Sequence, residues 1–348
     1  MARVFKAFLV LTAVFMAFSS CKKQSVQADV SVAGDKKSES NFTIGFSIDT
    51  LAVERWRRDC DVFLNTAKDL GADVIVQNAG NSVQEQQKQI GYLISRGVKA
   101  IVVVPKQADS LTECIRIAKS KNIPVISYDR LTLNADISLY ITVDSKAVGT
   151  LMAKELLTRN SKGKWFCFYG PQEDFNMSLI KRGVENMIKG APVSISLVYY
   201  TDGWNYDLSY QKMIELIKEN NLPDVIIAGN DAVANSIIQA LGEFYPENNI
   251  FIGGQDADIA GCQNVVTGKQ SVTIYKPIIE LAQKSAEIAC SLAKGKTVQE
   301  AAGTTDVIDN DYGEIPVLWM QPVAVTKKNM DEVIIKSGFH TKDEVYRE

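Results

Sequence analysis

An acid and a base stand side by side at the end of one short stretch, residues 123–130, IPVISYDR. Asp129 brings a carboxylate that only accepts hydrogen bonds, and Arg130 a planar guanidinium with up to five donors. Together they can grip the neighbouring hydroxyls of a polyol from two sides. An ion pair closing a surface turn would leave the same two letters in the sequence and would contribute little to stability. The surrounding element favours the first reading. Val125, Ile126 and Ser127, introduced by Pro124, read as a buried strand of the parallel-sheet type. Open α/β sheets bind ligands outside the carboxyl ends of their strands, which is where Tyr128, Asp129 and Arg130 fall.

No reaction centre accompanies this pair. His340 is the single histidine and lies near the end of the chain, no serine or cysteine stands in a nucleophile setting, and there is no glycine-rich phosphate loop. We therefore read a binding protein and not an enzyme. Residues 309–314, DNDYGE, have the look of a calcium loop, but the twelfth position from Asp309 is Met320, where such a loop needs glutamate, so a surface loop is expected. Apart from Cys21, the cysteines are Cys60, Cys114, Cys167, Cys262 and Cys290, whose spacings fit no zinc or redox motif. Buried free thiols are expected, with no metal and no cofactor.

The elements that position Asp129 and Arg130 follow a regular rhythm. Strands are expected at 43–48, 73–77, 100–104, 125–127 and 138–143, with helices at 53–70, 82–95 and 108–120 between them. The first loop carries Asp49, Thr50, Arg55 and Trp56, again at a strand's carboxyl end. Five further strands are expected at 165–169, 193–200, 224–228, 250–253 and 271–275, with helices at 179–188, 208–219, 232–241 and 257–266. Alternation of this kind predicts two α/β halves, each a doubly wound parallel sheet. A helix at 277–292 and the stretch 314–325 come after the second half is complete, so the chain should cross between halves more than once.

The chain has 348 residues, 46% hydrophobic and 23% charged, with a net charge of −3. That is enough for two ordinary domains. It offers no basic field for nucleic acid. Arg3 and Lys6 precede an apolar run, 7–20, too short to span a bilayer comfortably, so residues 1–20 read as a processed signal peptide. The run ends in FSSC, which resembles a bacterial lipobox and would make Cys21 a lipidated mature N-terminus, although Phe18 departs from the usual leucine. Residues 21–41 then read as a flexible tether between membrane and domain.

The segments IDTLAVERW, PVISYDR, YITVD, AGNDAVA, IGGQDAD, TIYKPI and the late SGFH resemble, in order and spacing, the xylose-binding members of the ribose-binding type of periplasmic sugar receptor, which serve bacterial ABC importers. The resemblance runs from Thr43 to about Lys342. It implies the type 1 periplasmic binding protein fold, with an N-terminal domain of 42–143 plus 277–318, a C-terminal domain of 144–276 plus 319–348, and hinge crossings near Val143-Asp144, Lys276-Pro277 and residues 318–320. It also implies a ligand-binding set of Arg55, Trp56, Asp129, Arg130, Asp174, Asn176, Trp204, Asn230, Asp256 and Lys276. On that implication Arg130 balances Asp129 and Asp256, Asn230 reaches the ligand while Asp231 caps its helix, and Asp258 caps the next one. Trp56 falls on an apolar helical stripe, for which a place in the core alone is the lesser alternative, Trp165 is core, and Arg57, Arg58, Lys88 and Lys99 form a solvated face.

The function implied is a monomeric, lipid-anchored extracytoplasmic receptor that captures D-xylose and delivers it to a membrane permease. Another pentose or a small hexose remains open as the ligand. So does a role as the sugar-sensing partner of a membrane signalling protein. A transcriptional regulator of this fold would carry a basic helix-turn-helix ahead of the first strand, where this chain has a signal and a tether.

Overall fold

Continuous apolar runs, with no alternation, become strands buried on both faces in a computed structural model that describes residues 42–347. Every residue of β3 (Ala100–Val103), β4 (Val125–Tyr128), β5 (Leu139–Val143) and β8 (Val225–Ala228) is buried, as parallel strands covered by helices on both sides require. β7 (Val193–Tyr200) alternates half-buried and exposed residues and lies at a sheet edge. The expected signal peptide, the tether and Cys21 lie outside the described residues. Among the described residues no helix is long and apolar enough to cross a membrane.

The first sheet adds β1 (Phe42–Ile48), β2 (Ala72–Asn78), β11 (Val307–Asp309) and β12 (Glu314–Met320), in the order β11-β12-β5-β4-β3-β1-β2. The second combines β6 (Gly163–Tyr169), β9 (Phe251–Gln255), β10 (Val272–Tyr275) and β13 (Val323–Val325) with β7 and β8, in the order β13-β10-β9-β8-β6-β7. Among the described residues only β11 on β12 and β13 on β10 pair antiparallel. The order β2-β1-β3-β4-β5 recurs as β7-β6-β8-β9-β10, so the molecule is two doubly wound α/β domains of one topology. Each sheet exceeds the five strands expected because late strands return to extend it.

The chain passes between the sheets after β5, after β10 and after β12. The second passage, Lys276-Pro277, leads into α9 (Ile278–Ala293), which packs back on α1 (Glu54–Asp69) and β3. The third falls at Gln321 and Pro322, just beyond the expected position, because Leu318 and Met320 still pair with Ile141 and Val143 of β5.

Three local differences have physical causes. α5 (Phe175–Ile188) begins a turn earlier than its apolar pattern suggests, since the Asp174 side chain accepts from the Asn176 amide at 3.0 Å and caps it. α8 (Ile259–Thr267) begins later, since Asp256 and Ala257 hold left-handed φ values of 94° and 53°. Residues 309–314 form the turn of a β11–β12 hairpin in which Asn310 is fully buried, donating to the carbonyls of Thr132 and Ala135 at 3.0 and 2.8 Å. The expected surface loop is therefore there, with Asp311 and Tyr312 exposed, and Asn310 is its one buried residue. Arg58 also leaves the solvated face: it donates to the Phe339 carbonyl at 2.8 Å and lies over that ring. Cys60, Cys167 and Cys290 are buried free thiols, Cys114 is half-buried, and the buried Cys262 thiol meets the Ala257 carbonyl at 3.4 Å.

The longest helix that went unanticipated is α4 (Ser145–Arg159), capped by the Asp144 side chain on the Ala147 amide at 2.9 Å. Its buried face includes Ser145 and Gly149, which blur the apolar period. The glycine is there for closeness: a Cβ on Gly149 would fall 2.0 Å from the Ile180 carbonyl of α5, and one on Gly183 of α5 2.1 Å from the Lys146 carbonyl. Gly149→Ala should therefore cost about 1 to 3 kcal/mol, the scale of an overpacked core. Gly242, in α7 (Asp231–Phe244), has open space around it, and Gly242→Ala should stabilise by roughly 0.5 to 1 kcal/mol. Denaturant melts of the two variants should move in opposite directions, and a neutral Gly149→Ala would disprove the tight crossing.

Candidate functional site

The left-handed φ of Asp129, 62°, turns the chain sharply after β4 and sends Asp129 and Arg130 into the space between the two domains. They are 3% and 6% exposed, which excludes a solvated surface pair. The Asp129 carbonyl fixes the turn by accepting from Tyr140 Oη at 2.9 Å, Thr142 Oγ1 at 2.7 Å and Asn176 Nδ2 at 3.0 Å. The last of these donors comes from the opposite domain.

All ten residues proposed from the sequence line one small cavity there, together with Val53, Met177 and Gln255. Arg55 and Trp56 come from the start of α1, and Asp129 and Arg130 follow β4. In the second domain Asp174 and Asn176 follow β6, Trp204 follows β7, Asn230 follows β8, Asp256 follows β9 and Lys276 follows β10. Every one stands at a strand's carboxyl end, where doubly wound sheets open a crevice. A roomier groove lined by Ile238, Leu241, Ile250 and Lys269 gathers none of them.

The charges pair across the cavity, and not as sequence neighbours. Arg130 Nε is 2.9 Å from Asp174 Oδ2, and its Nη1 meets Asp49. Asp129 is paired by Arg55, at 3.0 Å, and Asp256 by Lys276, at 2.6 Å, with Arg55 Nη1 at 3.8 Å. The expected balance of Asp129 and Asp256 by Arg130 is thus corrected: Arg55 and Lys276 hold those two carboxylates. Arg55 lies over the Trp56 ring at 4.3 Å, and Arg130 is 5.5 Å from it. Trp56 serves both of its candidate roles, being packed in the core and lining the cavity.

Burial and pairing set the proton affinities. Burial would raise Asp129, but Arg55, Lys276 and Arg130 together hold it below the usual carboxylate range. Burial does raise Asp174 against the opposing pull of Arg130, and it raises Asp59 against Arg55. Burial opposes the charge of Arg55, yet Asp129, Asp59 and Asp256 keep its pKa well above the ordinary value.

Three contributors were not proposed from the sequence as site residues. Asp59 is fully buried, 3.4 Å from Arg55 and bonded by the Tyr128 hydroxyl; its i,i+4 spacing from Arg55 on α1 was a usable signal. Asp49 sits at the end of β1 against Arg130. Gln255 precedes Asp256 and donates to the Gly229 carbonyl at 2.6 Å, leaving its Oε1 buried in the cavity wall without a partner. The Trp56 indole N–H is likewise buried and unpartnered. The capping roles at residues 230 and 231 are reversed: Asn230 Oδ1 caps α7 on the Val233 amide at 2.9 Å while the residue still lines the cavity, and Asp231 bonds elsewhere. Trp165 is fully buried core.

Acceptors, donors and two indoles converging from facing strand ends define a two-domain receptor for a small polar ligand. The chain belongs to the periplasmic binding protein domain family, whose pattern matches residues 44–297, and within it to the periplasmic sugar-binding receptors of type 1 fold. The D-xylose-binding periplasmic protein of Haemophilus influenzae is 36% identical over 311 residues, 88% of this chain and 92% of that protein. Its Escherichia coli namesake is 36% identical over 307 residues, covering 87% and 92%. Among solved structures, an ABC transporter solute-binding protein from Clostridium phytofermentans with bound β-D-glucose superposes with a TM-score of 0.80 at 30% identity, covering 87% of this chain and 99% of that one.

Proposed function

We propose that this protein captures D-xylose between its domains and delivers it to the membrane permease of an ABC importer, held at the membrane by a lipid on Cys21. The observation that carries the reading is the charge balance of the cavity. Five carboxylates, Asp49, Asp59, Asp129, Asp174 and Asp256, surround three cations, Arg55, Arg130 and Lys276. Such a site repels an anion such as a sugar phosphate and suits a neutral polyol whose hydroxyls both donate and accept. Charge-assisted hydrogen bonds contribute roughly 1.5 to 3 kcal/mol each. Trp56 and Trp204 offer apolar faces to the C–H faces of a pyranose and keep water from those bonds.

The preference for xylose is supported by the two relatives at 36% identity that carry that name. Glucose is the competing ligand, because the relative solved with β-D-glucose is 30% identical. Calorimetric titration of the protein from Asn41 onward against xylose, ribose, arabinose, glucose and galactose decides between them. Xylose should bind tightest, and tighter binding of glucose would overturn the assignment. In the full chain, Cys21→Ala should release the protein from the membrane fraction and leave its sugar affinity unchanged. Palmitate label entering that variant would refute the anchor.

A further inference from the structure

Asp231 is fully buried, does not line the cavity, and is gripped from three sides. Its Oδ1 accepts from Gln270 Nε2 at 2.7 Å, and its Oδ2 accepts from Thr273 Oγ1 at 2.7 Å and from the Asp258 amide at 3.1 Å. The Thr273 hydroxyl in turn accepts from the Ala257 amide at 3.1 Å. The Asp256 amide donates to the Ile274 carbonyl at 2.9 Å. Three successive amides, those of Asp256, Ala257 and Asp258, are therefore held by β10 and Asp231.

Those amides belong to the turn that aims Asp256 at Lys276 and Arg55. It is an unfavourable turn, because Asp256 and Ala257 are both left-handed without being glycine. A conformation of this kind persists only where its surroundings over-determine it. The space for the Asp231 carboxylate is equally built: a Cβ on Gly254 would fall 2.3 Å from Oδ1, and one on Gly261 2.1 Å from Oδ2. Strands β9 and β10 and helices α7 and α8 thus converge on one side chain.

We propose that the Asp231–Thr273 pair is the positioning device for Asp256, holding its turn in the left-handed geometry that presents the carboxylate to sugar. This rests on the reading of Asp256 as a sugar acceptor. The pair acts through the backbone and touches no ligand. Burial, with Asp256 close by, pushes the Asp231 carboxyl up, while its bonds to Thr273, Gln270 and the Asp258 amide oppose that. A group so costly to bury has to give something back, and rigidity of the turn is what its bonds supply.

Thr273→Val keeps the shape of the side chain and removes the hydroxyl, whereas Thr273→Ser keeps the hydroxyl. In titrations with xylose, Thr273→Val should bind at least tenfold more weakly than the parent and Thr273→Ser within threefold, with all three folded by thermal melt. Without sugar, amide hydrogen exchange at Ala257 and Asp258 should be at least tenfold faster in Thr273→Val. In an Asp256→Asn background, Thr273→Val should change affinity by less than twofold, since the group it aims is gone. Equal losses in both backgrounds, or Thr273→Val binding within threefold of the parent, would overturn the proposal. If Asp256→Asn weakens binding and Thr273→Val does not, positioning alone fails. If Asp256→Asn binds like the parent, or the parent binds none of the five sugars, the sugar-acceptor reading fails and the positioning role falls with it.

Discussion

Arg130→Ala should weaken sugar binding by several hundredfold or more while leaving a folded protein. The guanidinium is the fork that joins the two domains, with Nε on Asp174 of the second and Nη1 on Asp49 of the first. Removing it strands two buried carboxylates and takes a donor fork from the sugar, and breaking a buried charged pair costs about 3 to 5 kcal/mol. A solvated pair would contribute about 1 kcal/mol or less, which the burial of Arg130 argues against. Asp174 gives the substitution a second signature. Burial already raises its pKa and Arg130 is the main influence opposing that, so in Arg130→Ala it should take up a proton at a higher pH. Arg130→Lys keeps one positive charge but cannot reach both carboxylates with a planar fork, so it too should lose substantial affinity. Calorimetry beside a thermal melt checks this. Binding of Arg130→Ala within about threefold of the parent would remove Arg130 from the site.

Much of this was readable in the sequence because parallel strands announce themselves as unbroken apolar runs and their loops carry the polar residues. PVISYDR and IGGQDAD place Asp129, Arg130 and Asp256 at strand ends by that logic alone. What the sequence hid was pairing across space. Asp129 and Arg130 are adjacent letters, yet the left-handed turn between them sends one to Arg55 and the other to Asp49 and Asp174. The cap fell to Asn230 and not to Asp231 because either can cap a helix, and only the convergence of Gln270, Thr273 and Asp258 on Asp231 tells them apart. Helix α4 was invisible for a different reason. Its tight face is made by Gly149 where a larger apolar residue would have marked the period.

Arg55→Met should destabilise the protein even without sugar, and the deficit should grow with pH. The arginine sits among Asp59, Asp129 and Asp256 at 3.4, 3.0 and 3.8 Å, fully covered from solvent beside Trp56. Methionine fills most of the same volume, so what is lost is mainly the charge. Stranding buried carboxylates in this way costs about 3 to 5 kcal/mol. In a protein of this size that is a fall in melting temperature on the order of 5 to 15 °C. Arg55 is the main influence lowering both Asp59 and Asp129 against burial, and without it both folded-state pKa values rise. An unfolded aspartate titrates near about 3.9. Between that value and the raised ones, the folded variant binds more protons than the unfolded chain, so its stability falls as pH rises through the window. Melts of parent and variant should therefore lie closer at pH 5 than at pH 8. Were Arg55 contributing through packing alone, the gap would be the same at both, and that result would sink the charge-network account of the cleft.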